Sequence, residues 1–225
     1  MSNTPRRSSP PLRSPEQRRG DPDARSAELP RTRWELAGEG NRGYGKTFAQ
    51  RIADGADIDG EARLLDALAP RGARILDVGS GMGRVSAALQ ARGHRVVATE
   101  PDPALRAQSQ ATYPDLAVLP HEALVLDPSE LGAFDLVAVV GNVMVFLGEG
   151  TERRVLGRVR ELLAPDGRAV LGFDLTAVKP GSRTYPADEL VADATAAGLR
   201  VVHRFGSYEL HEPNDDYAVW VLARA

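Results

Sequence analysis

Short apolar runs alternate with amphipathic segments along most of the chain from residue 70 onward. An apolar run of four to eight residues bounded by turn residues is typical of a buried strand, whereas apolar residues spaced three to four apart indicate a helix with one buried face. The predicted strands span 73–78, 95–100, 116–120, 134–140, 168–175, 199–210 and 217–224. The predicted helices span 84–92, 102–113, 151–164 and 187–198.

The order of these elements predicts how the sheet is connected. Strands that alternate with helices form a parallel sheet covered by helices on both faces. The last two strands are joined by the loop 211–216, which is too short for a crossover, so they must be antiparallel neighbours. The sequence therefore predicts an α/β fold with a doubly wound, Rossmann-like sheet of seven strands, mostly parallel and ending in an antiparallel hairpin.

The first 33 residues differ in composition from the rest of the chain. They hold eight arginines and four acidic residues, a net charge of +4 that leaves −7 for the remainder, and they are rich in Pro and Ser. Such a segment buries too little apolar surface to offset its ordering entropy, so residues 1–33 are predicted to be a disordered tail. An arm for nucleic acid or an acidic partner and a transit peptide are the alternatives to a solvated tail. Residues 34–225 are predicted to form one domain, with a helical cap at 34–69 and the core at 70–225.

Composition excludes several classes of chemistry. The chain has no cysteine, so disulfides and thiolate sites are excluded, and its four histidines are scattered without ligand spacing, so no metal site is predicted. A net charge of −3 gives the whole molecule no electrostatic attraction to nucleic acid or to an anionic membrane. No apolar run approaches the ~18 residues of a transmembrane helix. These features predict a cytoplasmic protein.

The stretch RILDVGSGMGR, residues 74–84, carries the strongest chemical signal. Its glycines follow the first predicted strand and precede the first helix, at the sheet edge where open α/β folds bind ligands. A dinucleotide-binding loop of the form G-x-G-x-x-G would need its third glycine at position 84, where this chain has Arg84. The third glycine is instead Gly83, and an acid, Asp77, stands two residues before Gly79.

The segment DVGSGMG resembles the acid-x-G-x-G-x-G motif of class I S-adenosylmethionine-dependent methyltransferases. The resemblance covers residues 34–225, including the strand order and the terminal hairpin. It implies that Asp77 faces the methionyl ammonium of the cofactor S-adenosylmethionine. The loop residues would then admit the methionine portion: Gly79, Ser80, Gly81 and Gly83. Capping of the turn's own amides is the alternative role for Asp77.

Two further acids fall at positions where the resemblance implies cofactor contacts. Glu100 ends the second strand, 21 residues after Gly79, where Rossmann-like sites bind ribose hydroxyls, and the adjacent Pro101 would line the adenine pocket. After the third strand, Glu122 and Ala123 would contact adenine. Asp127 is a rival to Glu122 for that contact.

The segment VVGNVMVFL follows the fourth strand and would pass the sulfonium. Gly141 and Asn142 are therefore predicted contacts of the cofactor, with stabilisation of the turn as the alternative role for Asn142. The segment lacks the Asp/Asn-Pro-Pro-aromatic sequence of many nucleic-acid and protein amide methyltransferases. This departure argues against methylation of bases or amides.

The predicted cap supplies the remaining candidates. Tyr44, Phe48 and Ile52 share one helical face, which indicates either packing on the sheet or, for Tyr44, a cation–π contact with the sulfonium. The cations proposed for the methionyl carboxylate are Arg42, Lys46 and Arg51, and Asp59 is predicted to cap the next helix. The weak catalytic candidates are Tyr44, Asn142 and His211. Other groups at the sheet edge that could act as a base are Asp174, Tyr208 and Glu209.

The resemblance implies an S-adenosylmethionine-dependent methyltransferase whose acceptor is a small molecule, because the chain shows no insertion large enough for tRNA or protein recognition. Neither a nucleic acid nor a membrane is a predicted partner. A non-catalytic cofactor-binding subunit is the main alternative. A nicotinamide-dependent oxidoreductase is disfavoured by Arg84 and by the terminal hairpin.

Overall fold

The computed structural model describes residues 29–41 and 43–225. Residues 1–28 of the predicted tail and Arg42 lie outside the described residues. Helix α1 begins at Arg33, one residue before the predicted start of the cap, and Thr32 and Glu35 form a capping box around it.

Nine helices and seven strands are present in the described part of the chain. The helices are α1 (Arg33–Ala37), α2 (Tyr44–Ala53), α3 (Gly60–Leu68), α4 (Arg84–Ala91), α5 (Pro103–Thr112), α6 (Pro128–Leu131), α7 (Val143–Phe146), α8 (Glu152–Leu162) and α9 (Ala187–Ala196). The strands are β1 (Arg74–Val78), β2 (Arg95–Thr99), β3 (Val118–Leu119), β4 (Phe134–Val139), β5 (Leu163–Asp174), β6 (Leu199–Phe205) and β7 (Tyr217–Arg224). Short 3₁₀ turns cover Gly38–Asn41 and Ala123–Val125.

The strands form a single sheet in the order β3-β2-β1-β4-β5-β7-β6. Strands β1 to β5 are parallel to one another, and β7 is antiparallel to both β5 and β6. The predicted fold class is therefore confirmed, including the terminal hairpin. Because β1 and β4 are adjacent but β2 and β3 lie on the other side of β1, the connection after β3 crosses back over the sheet and opens a crevice at the carboxyl ends of β1 and β4.

Two apolar clusters, one on each face, hold the sheet between its helices. On one face α8 and α9 cover the side chains of Leu76, Val137 and Leu171. On the other face α3 and α4 cover Ile75 and Leu136. Neighbouring strand residues thus point to opposite apolar layers, which is why β4 is apolar after Asp135 and buried along its length.

Two element boundaries differ from the predictions for identifiable reasons. Strand β5 begins at Leu163, which pairs with Phe134, while Arg168 pairs with Leu136, so the four residues 164–167 bulge opposite a single residue of β4. The Pro-Asp-Gly sequence, which predicts a turn before the strand, lies within this bulge of β5. Strand β6 ends at Phe205, five residues early, because Tyr208 turns inward and its hydroxyl lies 3.0 Å from the Tyr217 hydroxyl.

Helix α5 has an N-cap hydrogen bond, whereas the cap predicted for α3 does not form. Asp102 accepts hydrogen bonds from the backbone amides of Ala104 and Leu105 at the start of α5. Asp59 stands at the N-cap of α3 but makes no capping hydrogen bond. Its carboxylate pairs with Arg92 at 3.1 Å, and this ion pair competes with the cap.

Candidate active site

A cavity of about 370 Å³ opens at the carboxyl edge of the sheet. Its wall is formed by the glycine loop after β1, the residues that follow β2 and β4, the start of α2, the N-terminal segment (residues 31–41) and the connection after β5. This is the crevice that the strand order creates. The predicted cofactor residues that line it are Asp77, Gly79, Ser80, Gly81, Glu100, Pro101, Glu122, Ala123, Gly141 and Asn142.

Glycines of the loop after β1 adopt left-handed backbone conformations, and neighbouring side chains pack closely against them. Gly79 has φ +67°, and a Cβ atom there would lie 2.7 Å from the Val143 side chain. The Ser80 amide donates to the carbonyl of Thr99 at 2.9 Å, which ties the loop to the end of β2. Gly83 has φ +83° and packs against Leu116 and Ser109 outside the cavity. Gly83 therefore lets the start of α4 pack closely on α5 and Leu116, and it does not line the cavity as predicted.

Asp77 is the buried acid at the end of β1, with 1% of its surface exposed. The Ser86 hydroxyl donates to its carboxylate at 2.6 Å. Burial raises the pKa of Asp77 to about 6, and the hydrogen bonds from Ser86 offset part of that rise. The side chain is thus ionised above neutral pH and held in place by α4.

Glu100 is a second buried carboxylate, at the end of β2 beside the glycine loop. The Gly81 amide donates to Oε2 and the Asp102 amide donates to Oε1, each at 2.9 Å. Burial raises the pKa of Glu100 to about 7 despite these two hydrogen bonds. The two N–H donors fix the carboxylate and leave lone pairs on both oxygens available to hydroxyl groups.

The structure distinguishes between Glu122 and Asp127, the two residues predicted to compete for the adenine contact. Glu122 lines the cavity, and its Oε2 atom is buried without a hydrogen-bond partner among the described residues. Asp127 instead caps α6, accepting from the Ser129 amide at 2.7 Å on the exposed surface. The buried oxygen of Glu122 is an acceptor that a bound donor could satisfy.

Asn142 lies in a left-handed turn directly after β4, with φ +78°. Its Nδ2 donates to Oδ2 of Asp174 at 2.9 Å, and its Oδ1 accepts from the Asp174 amide at 2.7 Å. This reciprocal pair ties the ends of β4 and β5 together. The side-chain amide of Asn142 therefore stabilises the turn, and both Gly141 and Asn142 line the cavity.

Aromatic rings form the side of the cavity away from the sheet. Trp34 meets Tyr44 and Phe146 edge to face, with ring centroids 5.6 and 5.3 Å apart, and Tyr44 also contacts Phe48. All four rings line the cavity. Burial raises the pKa of Tyr44 above its usual value, so its hydroxyl stays protonated near neutral pH and cannot serve as a resting base.

The N-terminal segment is fastened over the cavity by polar contacts. The Trp34 indole donates to Asp102 at 2.8 Å. Arg33 and Arg183 both donate to the same buried carboxylate oxygen of Glu152, at 3.0 and 2.7 Å. Sequence reasoning missed Trp34 and Phe146, because their partners are distant in the chain.

The predicted base candidates after β5 and β6 lie away from the cavity wall. Asp174 is paired with Asn142, and Tyr208 with the Tyr217 hydroxyl. His211 is exposed, with Nδ1 3.1 Å from the Ser207 hydroxyl, and Glu209 is exposed. None of these four belongs to the described residues that line the cavity.

The described residues contain neither a metal-ligand cluster nor a membrane-spanning helix. No group of three or more His, Cys, Asp or Glu side chains in that part of the chain could hold a metal ion. No helix within residues 29–41 and 43–225 is long and apolar enough to cross a membrane.

Comparisons with known proteins agree with the geometry. A family model described as a methyltransferase domain matches residues 76–169. The chain is 34% identical to a TehB-like SAM-dependent methyltransferase from Corynebacterium glutamicum, over 82% of this chain and 98% of that one, with a TM-score of 0.74. No curated protein sequence matches it.

Two more distant structures share the fold. The CcbJ methyltransferase from Streptomyces caelestis is 21% identical over 74% of this chain and 88% of its own, with a TM-score of 0.61. The 1,6-didemethyltoxoflavin-N1-methyltransferase from Burkholderia thailandensis, solved with 1,6-didemethyltoxoflavin and S-adenosylhomocysteine bound, is 19% identical over 97% and 93%, with a TM-score of 0.58. Since the Corynebacterium protein is matched over almost its whole length, the chain belongs to the S-adenosylmethionine-dependent methyltransferases.

Proposed function

We propose that this protein transfers a methyl group from S-adenosylmethionine, bound in the cavity, to a small-molecule acceptor. The observation that carries the proposal is the pair of buried carboxylates, Asp77 and Glu100, at the ends of adjacent strands around the glycine loop. A dinucleotide places its pyrophosphate at the glycine loop, where the Asp77 carboxylate would repel it. S-adenosylmethionine presents an ammonium and a ribose instead, and carboxylates can accept hydrogen bonds from both.

The donors and acceptors around the cavity fit this cofactor. Asp77 is proposed to attract the methionyl ammonium, and Glu100 to accept from the ribose hydroxyls. The unpartnered Oε2 of Glu122 would accept from the adenine amino group, next to Pro101. The proposed methyltransferase domain is residues 34–225.

When bound, S-adenosylmethionine supplies a methyl group on a sulfonium that an acceptor nucleophile displaces in line. The chain's contribution is to orient the reactants and exclude water. The Trp34–Tyr44–Phe48–Phe146 wall supplies π-faces that favour a cation and an apolar surface that keeps water out. The acids that line the cavity within the described residues are Asp77, Glu100 and Glu122, all assigned to the cofactor. This favours an acceptor atom that is nucleophilic without a protein base.

A small acceptor is supported by the enclosure of the cavity. The N-terminal segment contacts the connection after β5, where Gly40 packs against Pro180 and Ala37 against Gly181. These contacts narrow the approach to the cavity on that side, which favours a small acceptor. The ligand named for the Burkholderia structure is likewise a small molecule.

The test is transfer of label from methyl-labelled S-adenosylmethionine to a panel of amines, phenols, thiols and carboxylates, read by mass spectrometry. The expected result is a methylated small molecule formed with stoichiometric S-adenosylhomocysteine. Label found only on RNA or on protein, with the small molecules unmodified, would overturn the proposed acceptor class.

Cofactor affinity is expected to fall as the pH is lowered. Asp77 and Glu100 have pKa values of about 6 and about 7 in the free protein, and their ionised forms are the ones that bind. Below these values each carboxyl must lose a proton on binding, so affinity for S-adenosylhomocysteine should drop by at least about 100-fold from pH 8 to pH 5.

The control ligand is 5′-methylthioadenosine, which lacks the amino-acid end. Its affinity should depend less steeply on pH, because Asp77 has no ammonium to meet, and calorimetric titrations across the pH range measure both ligands. An affinity for S-adenosylhomocysteine that stays constant from pH 8 to pH 5 would contradict the roles given to these two acids.

A further inference from the structure

The described cations that the sequence offers for the methionyl carboxylate lie away from the cavity wall. Lys46 lines a neighbouring cavity of about 510 Å³. Arg51 is exposed on α2, where its guanidinium lies 5.5 Å from the Phe48 ring centroid. Positive charge at the cavity wall therefore comes from other side chains.

Two cationic residues line the cavity within the described part of the chain, Arg84 and Lys179. Arg84 pairs with both carboxylate oxygens of Glu61, so its charge is balanced inside the protein. The Lys179 side chain is exposed and makes neither an ion pair nor a hydrogen bond with any described residue. Of these two cations, Lys179 is therefore the one whose charge a ligand can still neutralise.

The backbone at Lys179 is held in a defined position at the cavity wall. The Ser182 hydroxyl donates to the Lys179 carbonyl at 2.8 Å and accepts from the Lys179 amide at 3.2 Å, which closes a tight turn. Gly181 within this turn has φ +78°, and a Cβ atom there would lie 2.5 Å from Ala37, so the turn packs closely against the N-terminal segment. A flexible lysine side chain on this fixed backbone keeps its ammonium within reach of the cavity.

The charges around the cavity favour an acceptor that is an anion. The acids among its described lining residues, Asp77, Glu100 and Glu122, are all assigned to the cofactor. A cationic acceptor would therefore meet no free carboxylate there, and both the sulfonium and the Lys179 ammonium would repel it. An anionic acceptor would be attracted by both positive charges.

The N-terminal segment places aromatic surface next to the Lys179 charge. Gly40 of this segment packs against Pro180, the neighbour of Lys179. The side-chain amide of Asn41 donates to the Trp34 carbonyl at 3.0 Å, so the turn that carries Gly40 stays beside Trp34. A molecule that pairs with Lys179 can therefore rest against the aromatic wall, which suits a planar ring.

We infer that the acceptor is a small aromatic acid, whose carboxylate pairs with the Lys179 ammonium while its ring lies against the aromatic wall. The inference rests on the proposed function and names its acceptor class, with Lys179 as a specificity-determining residue. A lone pair on an amine, phenolate or thiolate substituent of the ring forms the bond to the methyl carbon as the carbon–sulfur bond breaks. The electron pair of that bond stays on sulfur, and any proton on the acceptor atom goes to solvent.

The test measures methyl transfer to matched pairs of acceptors. The acids are hydroxy-, amino- and mercaptobenzoates, and each is paired with its carboxamide, which keeps the ring and the nucleophile and removes the charge. Methyl-labelled S-adenosylmethionine and mass spectrometry give kcat/KM for both members of each pair. We expect the wild type to prefer the acids, and Lys179→Gln to lower that preference about fivefold, as for an exposed ion pair. The kcat/KM for the carboxamides should not change, which separates recognition of charge from a structural effect.

Two variants and one affinity serve as controls. Lys46→Gln removes the other lysine of the chain and should keep the preference for acids. Lys179→Arg keeps the positive charge and should retain most of the preference. Lys179→Gln should bind S-adenosylhomocysteine as tightly as the wild type. A loss of that affinity would show that Lys179 meets the methionyl carboxylate, and the inference would be wrong.

Failure of the inference and failure of the proposed function give different results. Transfer to carboxamides or to cationic benzylamines in preference to the acids, or a preference for acids that survives in Lys179→Gln, overturns the inference alone. Binding of S-adenosylhomocysteine without methylation of any acid in the panel also overturns it. A folded wild type that does not bind S-adenosylhomocysteine overturns the proposed function itself.

Discussion

Gly83→Ala is expected to lower the free energy of unfolding by roughly 3 kcal/mol or more. Gly83 has φ +83°, where a side chain is strained, and a Cβ atom would lie 2.5 Å from both the Leu116 side chain and the Ser109 hydroxyl. These neighbours are buried, so they cannot move away without opening the contact between α4 and α5. Urea unfolding followed by circular dichroism measures the change.

Gly93→Ala is the matched control for this prediction. Gly93 has φ +89°, close to that of Gly83, but nothing lies within 4 Å of its Cβ position. Its free energy of unfolding should fall only by the cost of the backbone conformation, about 1 kcal/mol. Equal losses in the two variants would show that backbone strain alone requires glycine at position 83, and the packing role would be wrong.

Glu100→Gln is expected to weaken binding of S-adenosylhomocysteine by about 100-fold, since hydrogen bonds to a charged group are worth about 1.5–3 kcal/mol. The carboxylate accepts from two backbone amides, at Gly81 and Asp102. Glutamine has one oxygen, so its NH₂ group would face one of those N–H donors and turn the side chain away from the ribose. Calorimetric titration at pH 8 measures the loss.

Two comparisons make the Glu100 prediction specific. Glu122→Gln keeps an oxygen acceptor in the cavity and should cost less than about tenfold, because its Oε2 has no amide partner to lose. The wild type should also discriminate adenosine from 2′,3′-dideoxyadenosine, and Glu100→Gln should not. Retained discrimination in Glu100→Gln would place the ribose contact elsewhere.

The parts of the site that sequence predicts best are those set by spacing along adjacent parallel strands. Asp77 and Glu100 lie at the ends of β1 and β2, which pair in register from Arg74 and Arg95 onward. Once the two strands are predicted correctly, both acids must therefore lie at the carboxyl edge of the sheet. The alternation of apolar runs and amphipathic helices likewise predicts the parallel part of the sheet, and the short loop before the last strand predicts the antiparallel hairpin. These features are local or follow from the topology of the fold.

Features that depend on contacts between distant residues were not predictable. The pairing of Asn142 with Asp174 joins residues 32 apart, and that of Trp34 with Asp102 joins residues 68 apart. Neither contact has a local signal in the sequence. In the sequence Arg84 indicates only that the third glycine of a dinucleotide-binding loop is absent, because its pairing with Glu61 has no local signal either.

The early end of β6 has the same kind of cause. The run from Leu199 is compatible with a strand as far as Leu210, but the Tyr208 hydroxyl occupies the space above Gly172 where a side chain would otherwise stand. A long-range packing contact therefore overrides local β-propensity. Gly172 leaves room for the Tyr208 hydroxyl, but the sequence does not show this until the neighbouring strands of the sheet are known.

The measurement that tests the account most directly is a calorimetric titration of the wild type with S-adenosylhomocysteine at pH 8, beside Asp77→Asn and Glu100→Gln. The account predicts one site per chain with a dissociation constant on the order of micromolar, corresponding to about −8 kcal/mol, and a large loss in both variants. A folded wild type that shows no binding, or variants that bind as tightly as the wild type, would contradict the assignment of this cavity to the cofactor.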